Sequence, residues 1–154
     1  MSEPEIPVAL VVGSSGITGG AIVRLLAGRG GEVVGLARRP GDAPAGTRTV
    51  AADLLDAEGL AAALSDVAPT HVFYTSWSRR ETEDENREVN TAMMRNLFAA
   101  LEPAGSVRHV ALVTGLKHYL GPFEAYGTGA VPDTPFREEE PRLDVANFYY
   151  DQED

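Results

Sequence analysis

The chain has 154 residues, 44% of them hydrophobic and 23% charged, which suits one buried core and excludes a wholly disordered chain. Its 13 Lys and Arg stand against 23 Asp and Glu for a formal charge of −10. That argues against nucleic acid or an anionic membrane as the main partner, since both need a basic footprint. Cysteine is absent, so disulfides, thiolate metal sites and thiol catalysis drop out together.

No run of 18 apolar residues exists to span a membrane. The start, Met1-Ser2-Glu3-Pro4-Glu5, is too acidic for a signal peptide. A soluble cytoplasmic protein is expected.

Residues 6–12 read Ile-Pro-Val-Ala-Leu-Val-Val, a short apolar run that predicts a strand covered on both faces. The glycine-rich stretch Gly13-Ser14-Ser15-Gly16-Ile17-Thr18-Gly19-Gly20 follows at once. Residues 21–27 then set Ile22, Val23, Leu25 and Leu26 around one polar residue, Arg24, and predict a helix closed by Gly28, Gly30 and Gly31. Residues 32–37 predict a second strand, 38–46 a Pro/Gly-rich loop and 47–51 a short third strand.

Asp56 can cap a helix reaching about Ser65, and residues 70–75 predict a fourth strand. Thr82 can cap a further helix with Val89, Met93, Leu97 and Leu101 on one stripe, ended by Pro103 and Gly105. Residues 109–114 predict a fifth strand, 115–146 no firm element, and 147–154 the first turns of another helix. Strands alternating with helices predict an α/β doubly wound parallel sheet with right-handed crossovers, its strands buried on both faces.

Gly13, Gly16 and Gly19 give G-x-x-G-x-x-G between a buried strand and a helix. The first glycine permits the tight turn, the second the close approach of a pyrophosphate, the third close helix–strand packing. The free amides of the helix start then face the phosphate. This marks Gly13, Ser15, Gly16, Ile17 and Gly19 as dinucleotide contacts, although a glycine-rich turn can also serve packing alone.

At the tip of the second strand an acid would select NAD, but here stand Arg38 and Arg39. Paired guanidinium hydrogen bonds suit a 2′-phosphate, so NADP(H) is favoured over NAD(H). Asp53, with Leu54 beside it, is placed to reach the adenine edge, or equally to cap a turn.

Such a fold usually continues with further strands. Residues 1–154 are therefore expected to be the NADP(H)-binding portion of a longer protein whose substrate-binding part lies elsewhere. The alternative is a small domain ending at Asp154.

Three stretches carry a likeness. They are His71-Val72-Phe73-Tyr74-Thr75-Ser76-Trp77-Ser78; Thr114-Gly115-Leu116-Lys117-His118-Tyr119-Leu120-Gly121-Pro122-Phe123-Glu124; and Pro141-Arg142-Leu143 with Asn147-Phe148-Tyr149-Tyr150-Asp151-Gln152-Glu153-Asp154. They resemble the progesterone 5β-reductase/iridoid synthase-like family, an atypical extended branch of the short-chain dehydrogenases/reductases. The likeness covers nearly the whole chain and is most specific in T-G-x-K-H-Y-x-G-P-F-E and N-F-Y-Y.

It implies reduction of activated C=C bonds of enones with NADPH. Ordinary superfamily members use Tyr-x-x-x-Lys on one helix, whereas Tyr149 is followed four residues later by Glu153. The resemblance instead implies Lys117, at the end of the fifth strand, and Tyr149 as the catalytic pair. Trp77, Phe123 and Tyr150 would line the substrate pocket, and Thr75, Ser76, Trp77 and Thr114 would touch the cofactor.

The chemistry is coherent in itself. Hydride delivered to the β-carbon of an enone leaves negative charge on the carbonyl oxygen. A Tyr hydroxyl and a Lys ammonium aimed at that oxygen would hold it. A surface lysine and a packing tyrosine pair are the plainer alternatives. His118 and Tyr119 can shape the pocket or serve structure.

His71, His109 and His118 show no metal-ligand spacing, so no metal is expected. The charged run 79–88 suits a solvated helix start, and Glu138-Glu139-Glu140 an exposed loop. Two other functions remain open: a nucleotide-sugar epimerase or dehydratase, disfavoured by the missing Tyr-x-x-x-Lys, and a non-catalytic NADP(H) sensor. The expected substrate is a small hydrophobic carbonyl compound, and a homodimer through the helix from about Thr82 to Glu102 is compatible with the pattern.

Overall fold

The computed structural model describes residues 7–128 and 134–154; Ile6, expected in the first strand, lies outside them. Two units divide the chain, Met1–Ser76 with Met93–Val113 and Trp77–Ala92 with Thr114–Asp154. The first unit holds β1 (Val8–Val12), α1 (Ile17–Gly28), β2 (Glu32–Ala37), β3 (Thr47–Ala51), α2 (Ala57–Leu64), β4 (His71–Tyr74) and β5 (His109–Leu112). The strand order is β3-β2-β1-β4-β5, and every neighbouring pair is parallel.

β1 is central because it is apolar throughout, with Leu10, Val11 and Val12 fully buried. Leu10 lies in register with Val34 on one side and Val72 on the other. Val23 of α1 packs on Val11 and Val33, with Ile22, Leu26, Ala27 and Phe73 around them. Leu60 and Leu64 of α2 are also buried. Asp56 caps α2 as expected, its carboxylate accepting from the Gly59 amide at 3.0 Å. The order reverses direction at β1, so the crevice beyond the ends of β1 and β4 is the switch point where such sheets take ligands.

α3 (Glu83–Leu101) passes from the second unit into the first, where Met93, Leu97 and Leu101 are buried. It ends in a 3₁₀ turn at Glu102–Ala104 and a left-handed Gly105, as Pro103 and Gly105 predict. Its start is a capping box. The Glu85 amide donates to Thr82 Oγ1 at 3.3 Å, and the Thr82 amide to Glu85 Oε2 at 3.2 Å.

In the second unit α3 is accompanied by α4 (Lys117–Leu120), a 3₁₀ turn at Phe123–Ala125 and α5 (Phe148–Glu153). Buried Asn90 exchanges hydrogen bonds with the Ser78 backbone, 2.8 and 2.9 Å, and Asn86 accepts from the Arg80 amide at 2.7 Å. These two side chains hold residues 77–82 to the helix. Arg87 pairs with Asp151 of α5 at 2.6 Å.

Three expectations need correction. α1 starts at Ile17 rather than Ala21, so Gly19 and Gly20 lie inside it. Not every strand is buried on both faces: in β3 only Val50 is buried, and Val110 of β5 is 40% exposed. Residues 115–146 are not featureless, and Lys117 opens α4 instead of ending the fifth strand, which stops at Leu112.

Candidate active site

In the first unit the glycine loop joins β1 to α1. Gly13 has φ +86°, a conformation that favours glycine, and its amide donates to Leu36 O at 2.9 Å. The Gly16 amide donates back to Gly13 O at 2.9 Å. No side chain caps α1, so its first-turn amides are left for an outside acceptor. Ser15, Gly16 and Ile17 are exposed at that end.

Gly19 is where helix and loop meet. A Cβ there would stand 2.7 Å from the Gly13 carbonyl carbon, nearer still to its oxygen, and 2.8 Å from Thr75 Oγ1. Thr75 in turn donates to Val12 O at 2.7 Å. A Cβ on Gly13 would meet Ser76 Oγ at 2.7 Å. The structure thus brings Thr75 and Ser76 against Gly13 and Gly19, beyond the ends of β1 and β4.

Arg38 and Arg39 follow β2 and are exposed. Asp53 accepts from the Leu55 amide at 3.0 Å, a bond that closes the turn after β3. Leu54 is buried, and its carbonyl accepts from Asn96 at 2.9 Å.

A cleft of about 370 Å³ opens beside the loop, walled by Ser14, Ser15, Gly16 and Arg24 on one side and by the Pro40–Pro44 loop and Thr49 on the other. Arg24 Nη1 would lie 3.3 Å from a Cβ on Gly20, so that glycine leaves room for the guanidinium. In sequence Arg24 reads only as the polar residue of α1.

The second unit gathers the proposed pair. Lys117 is 3% exposed, and its ammonium donates to Glu83 Oε2. It stands 4.2 Å from the centroid of the Phe148 ring and 5.5 Å from that of Phe123. Burial pushes the ammonium below the usual lysine range, while the bond to Glu83 and the charges of Glu83 and Glu124 oppose that.

Glu83 Oε1 accepts from the Phe148 amide at 2.7 Å, and Oε2 also from Asn86 at 3.3 Å. Asn147 joins the two candidates. Its Nδ2 donates to Lys117 O at 3.0 Å, and its Oδ1 accepts from the Tyr149 amide at 3.1 Å, capping α5.

The Tyr149 hydroxyl lies over Gly115, 3.3 Å from where a Cβ would be. Burial raises its phenol above the usual value, and Tyr126 and Glu83 add to the rise. The Tyr150 hydroxyl donates to His118 O and accepts from the Leu143 amide at 3.1 Å. That of Tyr149 has no hydrogen-bond partner among the described residues.

Trp77 stacks on Phe148 at 5.9 Å with a 9° interplanar angle, and Phe123 lies 6.4 Å from it. Trp77 remains 48% exposed. Thr114 is exposed, two residues beyond β5.

The residue that sequence reasoning missed is Glu83, read as part of a solvated charged run. It is 7% exposed. A signal was available: Lys117 is the only lysine in the chain. Among so many arginines, one lysine marks a place for a compact ammonium. Among the described residues no group of three His, Asp or Glu is placed to hold a metal ion, and no helix is long and apolar enough to cross a membrane.

Comparison with known proteins bears on both parts. A model of the NAD dependent epimerase/dehydratase family matches residues 9–149. The chain is 44% identical over 159 residues to a 3-oxo-Delta(4,5)-steroid 5-beta-reductase of Arabidopsis thaliana, an alignment covering 96% of this chain and 40% of that protein. It is 40% identical over 159 residues to an (S)-8-oxocitronellyl enol synthase of Camptotheca acuminata, again over 96% of this chain and 40% of the other.

Among solved structures, the UDP-glucose 4-epimerase of Thermus thermophilus in complex with NAD aligns with a TM-score of 0.71 at 29% identity, over 95% of this chain and 48% of that one. The chain spans about 40% of the length of the curated relatives it matches. The first two proteins are the group that the segments around Lys117 and Tyr149 resemble.

Proposed function

We propose, since this chain belongs to the NAD dependent epimerase/dehydratase family, that it carries the cofactor-binding and oxyanion-stabilising part of an NADPH-dependent reductase of enones or related activated alkenes. The observation that carries this reading is that Asn147 ties the backbone of a buried Lys117 to that of Tyr149, whose hydroxyl has no hydrogen-bond partner among the described residues. The names of the two curated relatives support it. The absence of Tyr-x-x-x-Lys at Tyr149 weighs against epimerase or dehydratase chemistry.

The residues present fit a dinucleotide. The cradle at Gly13 and Gly19 leaves no room for a Cβ, the α1 amides are uncapped, and Arg38 and Arg39 suit a 2′-phosphate. NADPH, when bound, supplies the hydride that reaches the alkene β-carbon. Lys117 and Tyr149 then present two donors to the carbonyl oxygen as it gains charge. Tyr149 can act as a donor because burial keeps its phenol protonated. The α-carbon takes its proton from solvent, which completes the reduction. The substrate is a small hydrophobic carbonyl compound, and the setting is the cytoplasm.

The test is NADPH oxidation in the presence of a simple cyclic enone and of a 3-oxo-Δ4 steroid. Lys117→Met and Tyr149→Phe should each lower kcat by roughly 100-fold or more with NADPH affinity unchanged. NADPH binding without turnover in the unaltered protein would instead establish a non-catalytic NADP(H) binder.

A further inference from the structure

We propose that Glu83 is the positioning residue of the Lys117–Tyr149 pair, its one buried carboxylate gripping the Lys117 ammonium with one oxygen and the first amide of α5 with the other. The inference rests on the reading of Lys117 and Tyr149 as the acting groups.

Glu83 is surplus to its own helix. Three acids stand in the first turn of α3. Asp84 and Glu85 are exposed and suffice for the helix dipole, and Glu85 closes the capping box. Glu83 alone is turned inward. A buried carboxylate is tolerated only when it is paired and hydrogen-bonded. Here it accepts from Lys117 Nζ, Asn86 Nδ2 and the Phe148 amide.

The other charges nearby are engaged. Glu124, from the 3₁₀ turn, faces Lys117 too, but it accepts from the Glu83 amide at 2.9 Å and is exposed. Arg87, one turn along α3, faces Glu83 but pairs with Asp151. Arg79 stands 4.9 Å from the centroid of the Phe123 ring that Lys117 also faces, and Tyr126 and Tyr149 lie near as well.

Two consequences bear on chemistry. Lys117 sits against the Phe148 and Phe123 rings, where an ammonium without a counter-charge would be lost. Glu83 keeps the charge in place before a substrate oxygen needs it, which is what preorganised stabilisation requires. Glu83 also pins Phe148, the residue before Tyr149, while Asn147 ties Tyr149 back to Lys117. Both donors therefore hang from one group.

Because Lys117 is the only lysine, a chain grown with lysine carbon-labelled at Cε gives a single side-chain NMR signal whose pH titration reports this ammonium. In E83Q burial acts nearly unopposed, and the midpoint should fall by roughly one pH unit or more. The Tyr149 phenol, relieved of a neighbouring negative charge, should fall as well. If Glu83 were only scaffold, its loss would let water reach Lys117, and the midpoint would rise toward the ordinary value of about 10.4. A rise, or no movement, overturns the proposal.

Should E83Q not fold, E83D decides. The shortened carboxylate cannot span both partners, so a smaller fall is expected, and the same two outcomes refute. NADPH-dependent enone turnover, followed in the same proteins, should show kcat lowered roughly 10-fold or more in E83Q with KM for NADPH unchanged. An unaltered protein that turns over no enone would sink the reductase reading and leave the lysine titration to decide what Glu83 holds.

Discussion

Gly19→Ala is the most informative single change to the cofactor loop. The added Cβ would stand 2.7 Å from the Gly13 carbonyl carbon. Ordinary carbon–carbon contact is about 3.5 Å, so the loop must retreat by roughly 0.8 Å. A hydrogen bond from the α1 amides to a pyrophosphate, about 2.9 Å long when well made, would then be stretched beyond its useful range. Losing one such charge-assisted bond costs about 1.5–3 kcal/mol, or roughly 10- to 100-fold in Kd.

Gly20→Ala, one residue on in the same helix, is the matched control. Its nearest neighbours are the movable Arg24 guanidinium at 3.3 Å and Ser14 O at 3.4 Å. Both changes gain about 1 kcal/mol of helix propensity, so that contribution cancels between them. Only Gly19→Ala bears overpacking, about 1–3 kcal/mol. Urea unfolding of the two variants should therefore differ by about that amount, and calorimetric titration with NADPH should show the loss in Gly19→Ala alone. Equal stability together with equal NADPH affinity would refute the close-approach argument.

Two further outcomes follow from other residues. Replacing Arg38 and Arg39 together by Ala should weaken NADPH by roughly 10-fold or more and NADH little, with the difference shrinking as salt is added; equal losses for the two cofactors would remove the arginines from 2′-phosphate recognition. Tyr74 is fully buried, its hydroxyl has no partner among the described residues, and burial raises its phenol. Tyr74→Phe should raise stability by about 1 kcal/mol. Above about pH 10 the unfolded phenol ionises and the folded one does not, so the folded state holds more protons and stability falls as pH rises. Tyr149 adds to that slope, whereas Lys117, lowered by burial, opposes it. Urea unfolding at neutral and alkaline pH should show a shallower loss in Tyr74→Phe, and a destabilised variant would show that the hydroxyl contributes to packing.

What could be read from sequence was local. The second and third strands, Glu32–Ala37 and Thr47–Ala51, fall where the apolar runs and flanking turns put them. The capping residues Asp56 and Thr82 act within three residues of their partners. What could not be read depended on distant partners. Gly19 and Gly20 are poor helix formers, yet tertiary contact with Gly13 and Thr75 places Gly19 in α1. The apolar run of β5 does not say that Val110 stays 40% exposed. Glu83 looks like Asp84 and Glu85 in a linear reading; what distinguishes it is a lysine 34 residues away.

That separation also governs how the second unit acquires its order. Besides α3 and a 3₁₀ turn at Phe123–Ala125, its described helical pieces are α4, of four residues, and the six residues of α5, stretches too short to persist alone. Their anchorage to Glu83 closes loops of 34 and 65 residues, and such closures must be made before the contacts repay them. The five described strands have all emerged by Leu112, whereas Glu83 stays half-engaged until Phe148 has left the ribosome. Deuterium exchange should accordingly find the amides of α4 and α5 opening together, as one cooperative step at a lower free energy than β1.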